Sequence, residues 1–145
     1  MSATLIKPKL MTNQTPTGLK ILIVEDHDDC AESTAMFLRL CGHDVVIAKN
    51  GPAALEMANI SKPEVVLLDI ALPGMNGYDV AKHLTDPRPK FTPLIIAISG
   101  YPHEYSPKHL EETGIDYHMI KPVKPEELQS ILVRFQELLR NSMPA

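Results

Sequence analysis

Four strand-length runs in this sequence, three of them wholly apolar, each end in residues able to handle charge. Glu25 and Asp26 follow Ile21-Leu22-Ile23-Val24, Asp69 follows Val65-Val66-Leu67-Leu68, Ser99 follows Leu94 to Ile98, and Lys121 follows Tyr117 to Ile120. If these runs are neighbouring strands, three carboxylates share one crevice and repel one another, and a hard divalent cation with oxygen ligands is the usual remedy. Mg2+ is the natural choice. A lysine and a small hydroxyl suit an anion with several oxygens, and a phosphoryl group can bridge metal and ammonium. Singly, each residue has an ordinary explanation: an Asp after a strand is commonly a helix N-cap, and a lone Lys is usually solvated. Their conjunction at successive strand ends, where open parallel sheets place their ligands, carries the functional reading.

The elements that must position these residues follow from the pattern. Residues 1–18 hold Pro8, Pro16, Gly18 and polar residues without a period, and are expected to be a flexible leader. Asp28 or Asp29 is expected to cap a first helix with an apolar stripe at Cys30, Thr34, Phe37, Leu38 and Cys41, stopped by Gly42. Val45 to Ala48 reads as a strand, and Asn50-Gly51-Pro52 opens a second helix. Val65 to Leu68 lacks polar alternation, the mark of a strand covered on both faces. After Asp69, turn residues lead to a helix that begins near Gly77 and buries Val80 and Leu84. A short fourth helix is expected from Ser106 to Thr113, bounded by Pro107 and Gly114. The last helix opens at Pro125 with a stripe at Leu128, Ile131, Leu132, Phe135, Leu138 and Leu139. Strands alternating with helices imply a parallel sheet with right-handed crossovers, and so a doubly wound α/β fold.

Composition bounds the rest. At 145 residues, 44% hydrophobic and 22% charged, the chain holds one ordinary globular domain and falls outside the disordered class. The net charge of −4 is opposite to the basic surface that phosphate-backbone binding requires, so no direct nucleic-acid contact is expected. No apolar run approaches the ~20 residues of a membrane helix. The N-terminus lacks the apolar centre of a secretory signal, and the cytoplasm is the expected location. On one helix Cys30 and Cys41 would lie roughly 16 Å apart, too far for a disulfide, and they are expected as small buried hydrophobes.

The motifs Ile23-Val24-Glu25-Asp26, Leu67-Leu68-Asp69-Ile70-Ala71-Leu72-Pro73-Gly74-Met75-Asn76-Gly77, Ile98-Ser99-Gly100 and Lys121-Pro122 are weak singly and specific in this order. Over residues 20 to about 140 the chain resembles the receiver domain of two-component response regulators. The resemblance implies a flavodoxin-like fold with five strands in the order 2-1-3-4-5 and five helices, a domain over residues 19–141, and a C-terminal tail at 142–145. It implies that Asp69 is the phosphoacceptor, modified by a histidine kinase or a histidine-phosphotransfer protein. Asp26, Asp69 and the backbone carbonyl of Ala71 would hold Mg2+, with Mn2+ as a substitute, and Glu25 would act through bound water. Lys121 would hold a phosphoryl oxygen, Ser99 would bond the phosphate once present, and the Lys121-Pro122 bond would be cis. The output would be a changed contact with a downstream protein, from a monomer or a phosphorylation-dependent dimer. Only a few residues follow the last helix, so the chain is expected to act by contact, as a relay intermediate, or as part of a longer protein such as a hybrid kinase.

Three positions depart from or qualify that pattern. Where the family commonly carries Tyr or Phe, three residues before the lysine, this chain has His118, with Tyr117 on the opposite strand face. A histidine switch would make the output pH-sensitive. The resemblance implies that the positions of Ala71 and Tyr101 flank the phosphoryl site; an Ala with no group to orient water and a Tyr able to screen the site predict slow self-dephosphorylation. The other histidines, His27, His43, His83, His103 and His109, have no metal-ligand spacing and are expected at the surface. The alternatives are a degenerate receiver acting as a phosphorylation-independent binding module, a phosphohydrolase, which would need an acid where Ala71 stands, and a flavin carrier, whose phosphate the acids would repel. A signalling switch that catalyses only its own phosphotransfer and dephosphorylation, rather than a metabolic enzyme, is the expected class.

Overall fold

The computed structural model of the chain describes residues 18–85, 92–100 and 112–142. The elements run β1 (Lys20–Val24), α1 (Asp28–Leu40), β2 (Asp44–Ala48), α2 (Gly51–Ser61), β3 (Val65–Asp69), α3 (Gly77–Thr85), β4 (Leu94–Ser99), β5 (Tyr117–Ile120) and α4 (Pro125–Ser142). All strand pairs are parallel, in the order β2-β1-β3-β4-β5. The expected order and fold class therefore hold, with four helices described. The expected helix at 106–113 lies outside the described residues except at Glu112 and Thr113, which are helical. The leader is outside them up to residue 17, as are residues 143–145, and α4 runs through Ser142, one residue past the expected domain end.

The absence of polar alternation in β1 and β3 has a direct structural cause. Successive side chains point to opposite faces, and both faces are covered. Ile21, Ile23, Val65 and Leu67 pack with Ala31, Ala35 and Leu38 of α1 and Leu128 and Leu132 of α4. Leu22, Val24, Val66 and Leu68 pack on the other face with Ala54 of α2 and Val80 and Ala81 of α3. Winding reverses between β1 and β3, the central pair, so the crevice beyond their C-terminal ends is the topological switch point where such sheets bind ligands.

Four expectations are corrected. The first helix is capped by His27, not Asp28 or Asp29, and its buried residues are Ala31, Ala35 and Leu38. That face is offset from the expected stripe, leaving Cys30 exposed and Cys41 half-buried; both cysteines are free. On α4, Leu138 is exposed although it lies on the apolar stripe, because the buried contacts centre on Leu128 and Leu132. Asn50 caps α2 as its type suggests, accepting the Ala53 N–H at 2.8 Å.

The fourth correction is His43, which is buried rather than at the surface. Its Nδ1 accepts the Leu19 N–H at 2.9 Å, so Nε2 carries the proton and donates to Gln129 Oε1 at 3.1 Å. One neutral ring thus ties the start of β1 to α4. The chain passes so close here that a Cβ on Gly18 would sit 1.9 Å from the Gly42 carbonyl oxygen. Replacing His43 by Ala leaves the buried Leu19 N–H unpaired, with an expected loss of about 1–3 kcal/mol. Urea unfolding measures this directly, and a loss below about 0.5 kcal/mol would mean that water takes the ring's place.

Candidate functional site

The acids reach one point because their strands are adjacent and stop at the same level. The Glu25 N–H bonds the Ala48 carbonyl at 3.0 Å, which fixes the chain as it leaves β1. Asp69 is the last residue of β3, opposite Ile98 of β4, and the Ile70 N–H bonds the Ile98 carbonyl at 2.9 Å. Lys121 leaves β5 through its N–H to the Ser99 carbonyl at 2.8 Å, and the Lys121-Pro122 bond is cis, as expected.

At that point Lys121 Nζ lies 3.0 Å from Asp69 Oδ2 and 3.4 Å from Glu25 Oε1. The other Asp69 oxygen, Oδ1, accepts the Ala71 N–H at 3.0 Å. Asp69 is 3% exposed, so a single ammonium and one amide face a nearly sequestered carboxylate. Glu25 pays for the crowding: its burial, then its contact with Asp69 and the charge there, push its pKa above the ordinary value of 4.5. Burial also acts against the Lys121 ammonium, but the hydrogen bond and charge of Asp69, with Glu25 behind it, hold its pKa above the ordinary lysine value.

One ammonium among three acids leaves negative charge in excess. One ligand atom from each of Glu25, Asp26, His27 and Asp69 lies within 4.8 Å of every other. Asp26 Oδ1 is sealed from solvent and makes no hydrogen bond. An orphaned carboxylate oxygen beside two further acids fits a divalent cation, since oxygen donors of this kind are what Mg2+ takes.

The remaining expected residues divide. Ser99 is fully buried, and its Oγ lies 2.8 Å from Nε2 of the half-buried His118, so the two are hydrogen-bonded neighbours. Tyr117 points to the opposite side and is exposed, as expected. Ala71 is exposed at the rim, and Tyr101 lies outside the described residues. Two residues of the site were not singled out from the sequence. His27 was placed among surface histidines, and its adjacency to the acid pair was the available signal. Gly77 is the other: a Cβ there would meet the Ile70 Cα at 2.6 Å and the Asp69 carbonyl oxygen at 2.7 Å, so only glycine lets α3 start against the end of β3.

The family model described as response regulator receiver domain matches residues 21–133. The chain belongs to the response regulator receiver domain family. The chain is 32% identical over 123 residues to the alkaline phosphatase synthesis transcriptional regulatory protein PhoP of Bacillus subtilis, covering 85% of this chain and 49% of that protein. It is 32% identical, again over 123 residues, to a cyclic di-GMP phosphodiesterase of Thermotoga maritima, covering 32% of it. The chain thus spans about half or less of the length of these curated relatives. Among solved structures, a CheY-like receiver domain from Methanospirillum hungatei superposes with a TM-score of 0.76 at 26% identity, covering 87% of this chain and 99% of that one. One from Methylobacillus flagellatus gives 0.74 at 26% identity, covering 81% and 98%.

In this receiver the raised pKa of Glu25 makes folding favour its protonated form. Its favourable contribution is fully present below pH 4.5 and is lost as the pH rises through the higher folded value, so ionised Glu25 weighs against the fold at neutral pH. Glu25→Gln is therefore expected to raise the thermal midpoint at pH 7 in chelator, with the gap closing in acid. A lower midpoint for the variant at pH 7 would mean that the Lys121 and His27 contacts of Glu25 outweigh its repulsion.

Proposed function

We propose that this receiver accepts a phosphoryl group on Asp69 from a phosphohistidine donor, in a reaction that depends on Mg2+. The observation that carries the reading is the Asp69 carboxylate, sequestered at the switch point and held by Lys121 at 3.0 Å beside the acid pair. An Asp69 carboxylate oxygen attacks phosphorus in line, the phosphorus–nitrogen bond breaks, and the donor imidazole leaves with its electron pair. The product is an acyl phosphate. A loose phosphoryl-transfer transition state asks for positioning and charge neutralisation more than for acid–base help. Lys121 supplies a positive charge at the receiving oxygen, and Glu25, Asp26, Asp69 and the carbonyl of Ala71 are the groups that would hold the ion. Mg2+, or Mn2+ in its place, supplies further neutralisation of phosphoryl charge when bound.

Transmission starts at Ser99. With His118 neutral and its proton on Nδ1, the Ser99 hydroxyl donates to Nε2; a phosphoryl group on Asp69 offers a more strongly charged acceptor, and the hydroxyl turns to it. The bond between Ser99 and His118 is then broken, and the surface around β5 and α4 changes. Such a surface suits a downstream protein, in a monomer or a phosphorylation-dependent dimer, and the donor is a histidine kinase or histidine-phosphotransfer protein. No described helix is long and apolar enough to cross a membrane, in keeping with a cytoplasmic site of action. The full acid set, Asp69, Ser99 and Lys121 favours this switch over a binding module that ignores phosphorylation. With Ala71 at the rim and Tyr101 two residues past Ser99, the acyl phosphate is expected to be slow to hydrolyse.

Incubation with acetyl phosphate and Mg2+ should add one phosphoryl group by intact mass, and chelator or Asp69→Asn should abolish the gain. Lys121→Met should slow uptake by about tenfold or more, as loss of a charge-stabilising donor does; unchanged uptake in Asp69→Asn would overturn the assignment. Protonation would turn His118 Nε2 from acceptor to donor toward Ser99, so the extent of activation should vary between pH 6 and 8 and become flat in His118→Tyr. The check is the phosphorylation-induced change in backbone NMR shifts of β5 across that range, and the same pH dependence in the variant would remove His118 from the switch.

A further inference from the structure

The acids of this site offer only oxygen, yet a nitrogen stands among them. His27 follows Glu25 and Asp26 directly and is the N-cap of α1, with extended backbone (φ −86°, ψ 114°). Its side chain makes no capping hydrogen bond. The ring instead turns to the acids: Nδ1 lies 3.2 Å from Glu25 Oε2 and 3.5 Å from Asp26 Oδ1. The two Glu25 oxygens are divided between partners, Oε1 toward Lys121 and Oε2 toward His27. The ammonium thus stands at one Glu25 oxygen and the imidazole at the other.

Two features point to a shared ion rather than to an ordinary His–carboxylate contact. Asp26 Oδ1 is cut off from solvent and has no hydrogen bond, although the ring nitrogen is its neighbour. One ligand atom from each of Glu25, Asp26, His27 and Asp69 falls within 4.8 Å of the rest, and donors bound at about 2.0–2.2 Å stand up to roughly 4.4 Å apart across one ion. The ring is 70% exposed, so it can adjust toward a bound ion without disturbing the core.

We propose that Nδ1 of His27 is a metal ligand, so that this receiver takes an imidazole-preferring first-row divalent ion such as Ni2+ or Co2+ by a mode that Mg2+ does not use. The inference rests on reading the acid cluster as the divalent-ion site. Imidazole favours Ni2+ and Co2+, whereas Mg2+ prefers oxygen and keeps several waters. The ring is therefore engaged by the softer ions and left aside by Mg2+, and His27 sets which metal the site prefers.

Calorimetric titration of metal-free protein with Mg2+ and with Ni2+ tests this, using wild type, His27→Asn and Asp26→Asn. Asn is a good N-cap, so His27→Asn keeps the start of α1. The expected result is a loss of Ni2+ affinity of about tenfold or more in His27→Asn, with Mg2+ affinity changed less than about twofold, and a loss of both in Asp26→Asn. Equal effects on the two metals in His27→Asn, or no effect on either, overturn the assignment of His27 while leaving the acid site standing. If Ni2+ binding survives Asp26→Asn, the ion sits on other histidines and the proposal fails. Wild type that binds neither metal overturns the acid site and the proposal together.

Discussion

Three carboxylates held at the end of two adjacent strands repel one another, and the architecture around them answers that repulsion. Asp69 is nearly sequestered, Glu25 is buried beside it, and Asp26 has an oxygen sealed from solvent without a hydrogen bond. Lys121 contributes one positive charge, shared between Asp69 at 3.0 Å and Glu25 at 3.4 Å. Burial first, then the contact with Asp69 and its charge, push the pKa of Glu25 up, and the charge of Lys121 acts in the opposite direction without cancelling them. A site left in this state is poised to take positive charge, and a cation held there favours an incoming phosphoryl group for the same reason.

Everything else in the fold serves to hold that arrangement. Parallel pairing of β1 with β3 sets Val24 against Leu68, so the residues that follow in each strand, Glu25 and Asp69, emerge side by side. Apolar side chains on both sheet faces make the strands rigid and dry, which is why the acids cannot retreat into solvent. Gly77 lets α3 begin against the Asp69 carbonyl, and the N–H of Gly77 bonds the Ile70 carbonyl at 2.9 Å. At the opposite end of the sheet, His43 locks the start of β1 to α4, so both ends of β1 are fixed.

The strands and the charged residues at their ends were legible in the sequence, because a strand buried on both faces is a continuous apolar run and its first charged residue marks where it leaves the core. Glu25, Asp26 and Asp69 follow that rule, Ser99 is the first polar residue in β4, Lys121 follows the half-exposed β5, and the sheet order followed from the family resemblance. What escaped depends on contacts distant in the chain or on a one-residue offset. The N-cap of α1 at His27 moves the buried face to Ala31, Ala35 and Leu38, and small alanines signal less than the Cys and Phe beside them. His43 is satisfied by a backbone N–H 24 residues away and a glutamine 86 residues away, which no local pattern reports. His27 is exposed as expected, and the turn of its ring toward Glu25 and Asp26 is a local contact that the spacing between histidines does not report.

The central claim is that the carboxylate of Asp69 is the atom group that receives phosphorus. An acyl phosphate, unlike a phosphoester or phosphohistidine, is reduced by borohydride to an alcohol, and this converts aspartyl phosphate to homoserine at the modified position. The measurement is borohydride treatment after exposure to a phosphorylated histidine-phosphotransfer domain, followed by fragment sequencing in a mass spectrometer. Homoserine at position 69 and nowhere else is the result the account predicts. Phosphorylated protein with Asp69 unreduced, or homoserine at Asp26 instead, would contradict it.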